Sequence, residues 1–183
     1  MSKINQTDFP GLFLIEPKVF TDSRGFFYES FRSDDFNEQN NPINFVQDNI
    51  SKSCKNTLRG LHFQTGEKAQ GKLCQVLAGA VLDVALDLRN GSPTFGKYFS
   101  VILSESNHTQ IYIPPGFAHG FSVLSEEVLF HYKCTGYYSK EHEGTVLYND
   151  TALGIDWQND APIVSPKDLQ GSLFSQSTNI FYY

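Results

Sequence analysis

Turn-forming residues punctuate this chain at short intervals, and the spacing leaves little room for helices. Asp22-Ser-Arg-Gly25, Asn90-Gly-Ser-Pro93, Pro114-Pro-Gly116, Ser139-Lys-Glu141 and Asn159-Asp-Ala-Pro162 each group residues that accept tight backbone bends. The segments between them read as strands. In residues 81–88 the side chains of Leu82, Val84, Leu86 and Leu88 share one parity, and Asp83, Ala85 and Asp87 share the other. Residues 128–135 alternate in the same way, with Val128, Phe130, Tyr132 and Cys134 on one side. Further strands are expected at 12–16, 44–48, 57–63, 72–77, 97–103, 110–113 and 118–124. Ser33 is placed to cap one short helix running to about residue 38. Many short strands with frequent turns predict an all-β sandwich or barrel. The 16 Phe and 9 Tyr suit a β core and an aromatic-lined cavity.

The 183 residues suit a single domain able to bury a core. No apolar run approaches bilayer length, and the first ten residues are polar, so neither a membrane span nor a signal peptide is read. Cys54, Cys74 and Cys134 are odd in number and scattered, which argues for free thiols in a reducing cytoplasm. A net charge of -6 argues against nucleic acid as a partner. An anionic small ligand would need a local cluster of Arg and Lys.

Ile113-Pro-Pro-Gly-Phe-Ala-His119-Gly-Phe121 resembles the second cupin motif, a Pro-x-Gly turn followed by an inward-pointing His. Metal-binding cupins pair it with a His-x-His strand, but here that strand reads Leu58-Arg-Gly-Leu-His62-Phe-Gln64. Gln64 takes the place of the second His, which leaves too few of the convergent ligands a catalytic metal requires. His62 is then available as a general base, given a carboxylate to fix its tautomer. Asp83, Asp87 and Asp168 are the candidates for that carboxylate. Tyr132 places a hydroxyl on an otherwise apolar face, either as a core tyrosine or as an acid. Lys72 is either a surface lysine or an enolate-stabilising cation. Strict alternation puts Arg59 and His62 on opposite faces, unless Gly60 allows a bulge that re-aims one of them.

Between about Gly11 and Asp168 the chain resembles the dTDP-4-dehydrorhamnose 3,5-epimerase family. The carriers are Asp22-Ser-Arg-Gly-Phe-Phe-Tyr-Glu29, Phe45-Val-Gln-Asp-Asn49, Leu58-Arg-Gly-Leu-His-Phe-Gln64, Gln70-Gly-Lys72, Asp83-Val-Ala-Leu-Asp-Leu-Arg89, Ser92-Pro-Thr-Phe-Gly96, the cupin segment above, Tyr132-Lys-Cys-Thr135, Gly154-Ile-Asp-Trp157 and Ser165-Pro-Lys-Asp168. They occur in the family's order.

The resemblance implies a cupin jelly roll with a few short helices, forming one domain over 1–183. An N-terminal arm covers about 1–40 and a C-terminal extension about 150–183. It implies a cytoplasmic homodimer with no metal and no organic cofactor. The implied reaction is epimerisation at C3 and C5 of dTDP-4-keto-6-deoxyglucose, serving deoxysugar and lipopolysaccharide O-antigen synthesis. By motif position His62 is the base, Asp168 its carboxylate partner, Tyr132 the acid and Lys72 the cation at the C4 oxygen. Gln47, Asn49, Arg59, His119 and Tyr138 fall where the family contacts substrate. Arg24 and Glu29 match an arm that reaches the nucleotide of the neighbouring subunit. Three positions depart from the family: Ile50 for a His, Gln75 for an Arg, and Tyr148 for a Trp. The other readings are an epimerase acting at one centre only, and a sugar-nucleotide-binding cupin without catalysis.

Overall fold

The structure, a computed structural model, describes residues 2–36 and 42–183. Its strands, in chain order, begin with β1 (Lys3–Gln6), β2 (Phe13–Glu16), β3 (Phe20–Asp22), β4 (Gly25–Phe27), β5 (Gln47–Cys54) and β6 (Thr57–Gln64). They continue with β7 (Lys72–Ala78), β8 (Ala80–Asp87), β9 (Arg89–Asn90), β10 (Tyr98–Ser104) and β11 (Gln110–Ile113). The last are β12 (Phe117–Val123), β13 (Glu127–Cys134), β14 (Glu143–Thr145), β15 (Ile163–Val164) and β16 (Phe181–Tyr182). One sheet runs β1-β2-β11-β7-β13-β5, and the other runs β10-β8-β12-β6-β14 with β15 added on β6. Together they form the all-β jelly-roll sandwich of the cupin type.

The two sheets face each other across a core that draws Cys74 and Val76 from β7, Val81 and Ala85 from β8, Phe121 from β12 and Phe130 from β13. Phe121 and Phe130 stack at 4.4 Å between centroids. Removing a ring of this size from water contributes about 2 kcal/mol.

The long aliphatic parity of β8 does not face this core. Leu82, Val84 and Leu86 point to the other side, where they pack with Val146, Leu153 and Trp157 of the C-terminal region. Both faces of β8 are therefore buried, and its polar parity, Asp83 and Asp87, is fully enclosed. The C-terminal region acts as a cover on the second sheet. It is anchored by parallel pairing of β15 with β6 and of β16 with β9.

Most expected strands are present within a residue or so. The exception is 44–48: β5 begins at Gln47 and runs to Cys54 along the whole of β13. It is an edge strand, exposed on one face, so its Ser-Lys-Ser stretch carries no apolar period to read. The helix expected from Ser33 is a 3-10 turn, Ser33–Phe36, and residues 37–38 lie outside the described residues. Among the described residues no helix is long and apolar enough to cross a membrane.

Candidate active site

A bulge in β6 builds one wall. Opposite β12, His62 pairs with His119 and Arg59 pairs with Phe121. Gly60 and Leu61 therefore stand against the single residue Gly120. Gly60 has φ +133°, and a Cβ there would lie 2.5 Å from Gly120 Cα. A Cβ on Gly120 would lie 2.7 Å from the Arg59 carbonyl oxygen. Glycine at both positions is what lets the strands close. The bulge shifts the alternation by one residue, so Arg59 and His62 both face the interior.

Each of the three aspartates weighed as a partner for His62 has a distinct role. Asp87 accepts from Arg89 Nε and Nη2 at 2.9 and 2.8 Å and from the hydroxyls of Ser92 and Thr94 at 2.7 Å each, which makes it a loop anchor. Asp83 Oδ2 lies 2.9 Å from His119 Nε2. Asp168 Oδ1 lies 2.6 Å from His62 Nε2. Asp168 is delivered by β15, which places Ile163 and Val164 beside Thr57 and Leu58 and leads into the 3-10 turn Asp168–Gln170. Its other oxygen accepts from the Gly60 N–H at 3.4 Å, and its own N–H donates to Ser165 Oγ at 3.1 Å. Burial pushes the Asp168 carboxyl up, but the His62 contact and these bonds outweigh it and hold the group below the usual carboxylate range. An ionised Asp168 makes His62 Nε2 the donor and leaves the lone pair of a neutral ring on Nδ1.

Tyr132 and Lys72 belong to the facing sheet. Tyr132 on β13 lies opposite Cys74 of β7, and Lys72 lies opposite Cys134. Burial, helped by the neighbouring thiols, pushes the Tyr132 phenol up to about 12, so it holds its proton throughout the neutral range. His62, Lys72 and Tyr132 line two adjoining lobes. The larger, about 310 Å³, adds Gln47, Asn49 and Tyr138. The smaller, about 220 Å³, adds Arg59 and His119. His119 is buried, and this burial lowers its pKa despite the Asp83 contact.

Arg24 and Glu29 lie outside both lobes in this chain. Arg24 sits on the β3–β4 hairpin, where it pairs with Asp22 at 2.6 Å. Glu29 pairs with Arg32 at 3.8 Å. The hairpin carries Phe20, Phe26 and Phe27, all exposed.

Ile50 and Gln75 point away from the lobes. Gln75 bonds His131 Nδ1 at 2.9 Å and accepts from Gln110 Nε2 at 3.1 Å on the outer face of the first sheet. Ile50 lies opposite the same His131. Two of the departures noted in the sequence thus sit together, across the sheet from Lys72 and Tyr132. Tyr148 is on the C-terminal cover, where its carbonyl accepts from Trp157 Nε1 at 2.8 Å.

Glu143 is a site residue that the sequence did not mark. It lines the larger lobe from β14. It accepts from the Tyr138 hydroxyl at 3.0 Å and forms an ion pair with Lys167, the residue before Asp168. Burial would raise its pKa, but Lys167 and Tyr138 together hold it low. Nothing in the turn-like string Ser139-Lys-Glu-His-Glu143 separates it from a solvated surface acid.

Fold and cavity together define a class: a cupin-type jelly-roll protein with a His–Asp pair on one sheet facing a lysine and a tyrosine on the other. A family model described as dTDP-4-dehydrorhamnose 3,5-epimerase matches residues 6–176, and the chain belongs to that family. It is 51% identical over 179 residues to the dTDP-4-dehydrorhamnose 3,5-epimerase of Salmonella typhimurium, covering 97% of this chain and 98% of that one. The enzyme of the same name from Pseudomonas aeruginosa is 49% identical over 177 residues, covering 96% of this chain and 97% of that one. A crystal structure of the dTDP-6-deoxy-D-glucose-3,5-epimerase of Legionella pneumophila, in complex with dTDP-4-keto-L-rhamnose, superposes with TM-score 0.93. That enzyme is 47% identical, and the match covers 100% of this chain and 99% of that one.

Proposed function

We propose that this chain inverts C3 and C5 of dTDP-4-keto-6-deoxyglucose by moving protons on the carbons beside the 4-keto group. The observation that carries the reading is the 2.6 Å contact between His62 and Asp168, facing the protonated Tyr132 across one cavity. The ketone acidifies the neighbouring C–H bonds. His62 removes a proton as general base, and Asp168 stabilises the imidazolium that forms. Charge moves to the C4 oxygen, where the Lys72 ammonium offsets it. Tyr132 returns a proton from the other sheet, and so from the other face of the ring, which inverts the centre. Arg59 and His119 hold the sugar from the smaller lobe, and Gln47, Asn49 and Tyr138 hold the substrate from the larger.

A second copy of the chain completes the site in this reading. Arg24 and Glu29 on the aromatic hairpin reach the neighbour's nucleotide, where Arg24 supplies a bidentate cation for phosphate. Free Cys54, Cys74 and Cys134 fit a reducing cytoplasm, and the product feeds surface polysaccharide such as O-antigen.

The test is incubation with dTDP-4-keto-6-deoxyglucose in D2O in the presence of a chelator, read by NMR and mass spectrometry. Deuterium enters both C3 and C5. Label at one centre alone would replace this reading with a single-centre epimerase, and no label would overturn catalysis on this sugar.

Glu143 acts as a positioning residue, linking Tyr138 to the segment that carries Asp168. Glu143→Ala raises KM about fivefold, the worth of one ordinary hydrogen bond, with kcat little changed. Steady-state kinetics check it. A fall in kcat at constant KM would place Glu143 in the proton transfers instead.

A further inference from the structure

We propose that Cys74, Asp83 and His119 form a binding site for a thiophilic divalent cation of the zinc type, separate from the proton-transfer groups. The three residues come from three strands, β7, β8 and β12, and meet between the sheets. Their donor atoms all lie within 4.8 Å of one another. His119 Nε2 is 2.9 Å from Asp83 Oδ2 and 3.9 Å from Cys74 Sγ. Zinc bound tetrahedrally to sulfur, nitrogen and oxygen holds such atoms about 3.3–3.7 Å apart. The two His119 separations therefore need shifts of a few tenths of an ångström, and the Cys74 and Asp83 donors close on the ion from within 4.8 Å.

A second observation points to a ligand. Asp83 Oδ1 is buried and has no hydrogen-bond partner among the described residues, in a carboxylate that is itself fully enclosed. Buried polar atoms left unpaired are rare and costly. The donor set also balances charge. A thiolate and a carboxylate neutralise a divalent ion, and the imidazole binds neutral. The thiol proton leaves as the Cys74–metal bond forms and passes to solvent. Lys72 is the nearby cation, and the neutral ion–donor assembly keeps its repulsion small. Sulfur and imidazole together favour zinc over magnesium or calcium. Three protein donors leave a fourth position for a non-protein ligand.

Of the cupin metal positions His62, Gln64 and His119, only His119 takes part. His62 is engaged by Asp168, and Gln64 Oε1 accepts from the Ser139 N–H at 2.9 Å. His119 does line the smaller lobe beside Lys72 and Tyr132. The ion enters through that lobe, and once bound it draws His119 away from the sugar. Resting on the functional reading above, we assign the site an inhibitory role.

Cobalt(II) is the probe, added to the full-length metal-free protein. The expected result is a near-ultraviolet thiolate-to-cobalt band at one equivalent, bleached by zinc, with zinc also suppressing turnover. Cys74→Val, close in volume to the native side chain, folds by circular dichroism, turns over at the native rate without metal, and shows neither the band nor the zinc inhibition. Asp83→Asn, an independent variant, weakens the band. Absence of the band in the native protein, or its survival in Cys74→Val, overturns the site. A zinc-bleached band with turnover unaffected by zinc overturns the inhibitory role. The band in a chain that turns over no dTDP sugar supports the site and overturns only the reaction assigned above.

Discussion

His62→Ala abolishes deuterium exchange at C3 and C5 and lowers kcat by about a thousandfold, while dTDP binding persists. General-base catalysis contributes about a hundred- to ten-thousandfold, and among the described residues the ring is the only titratable group bonded to Asp168. The substrate contacts assigned to Gln47, Asn49 and Tyr138, and the nucleotide contacts assigned to Arg24 and Glu29, come from other strands and loops, so they survive the change. Asp168→Asn lowers kcat in the same direction, because an amide no longer stabilises the imidazolium. Its carboxyl is held below the usual range in the folded chain. By linkage it contributes stability above the unfolded carboxylate pKa, and this is lost as pH falls through the lower folded value. The measurement is exchange by NMR with isothermal titration of dTDP alongside. Substantial exchange in the alanine variant would place the base elsewhere.

Tyr132→Phe separates the two halves of the reaction. The ring stays packed against Phe130, whose centroid is 6.1 Å away, so the sandwich is undisturbed. Only the hydroxyl is lost. The base still forms the enolate, so exchange continues, but inverted product falls by about a hundredfold. Because burial raises the phenol to about 12, the native enzyme shows no alkaline loss from this group below about pH 10. A phenylalanine variant that inverts both centres at the native rate would remove Tyr132 from the mechanism.

How much of this could be read beforehand differs from element to element. β13 was legible because one face is largely buried and the other is partly open, so polarity follows the pleat. β8 showed a period, but its direction misleads: the aliphatic side meets the C-terminal cover, and the aspartates face the interior. No local pattern tells a strand which of its two sides a distant segment will cover. The Gly60 bulge was legible as a conflict, since two residues implied by the family to act together stood on opposite parities. Only the register with β12 resolves that conflict. The partnering of Asp83, Asp87 and Asp168 could not be decided from residue type. It is set by the pairing of β8 with β12 for the first, by the loop after β8 for the second and by β15 docking for the third. Glu143 was invisible because its partners, Tyr138 and Lys167, come together only in three dimensions.

The distance along the chain between His62 and Asp168, 106 residues, gives folding a direct hold on activity. Both main sheets can pair through β14 before Asp168 arrives, because their strands, β15 apart, precede it by a wide margin. Closing so long a loop is entropically costly and tends to come late. During synthesis the growing chain would hold most of its strand content while still unable to move a proton. A single proteolytic nick in the cover would return it to that state without melting a sheet. Turnover therefore reports on the docking of the C-terminal segment, which circular dichroism of the strands would miss.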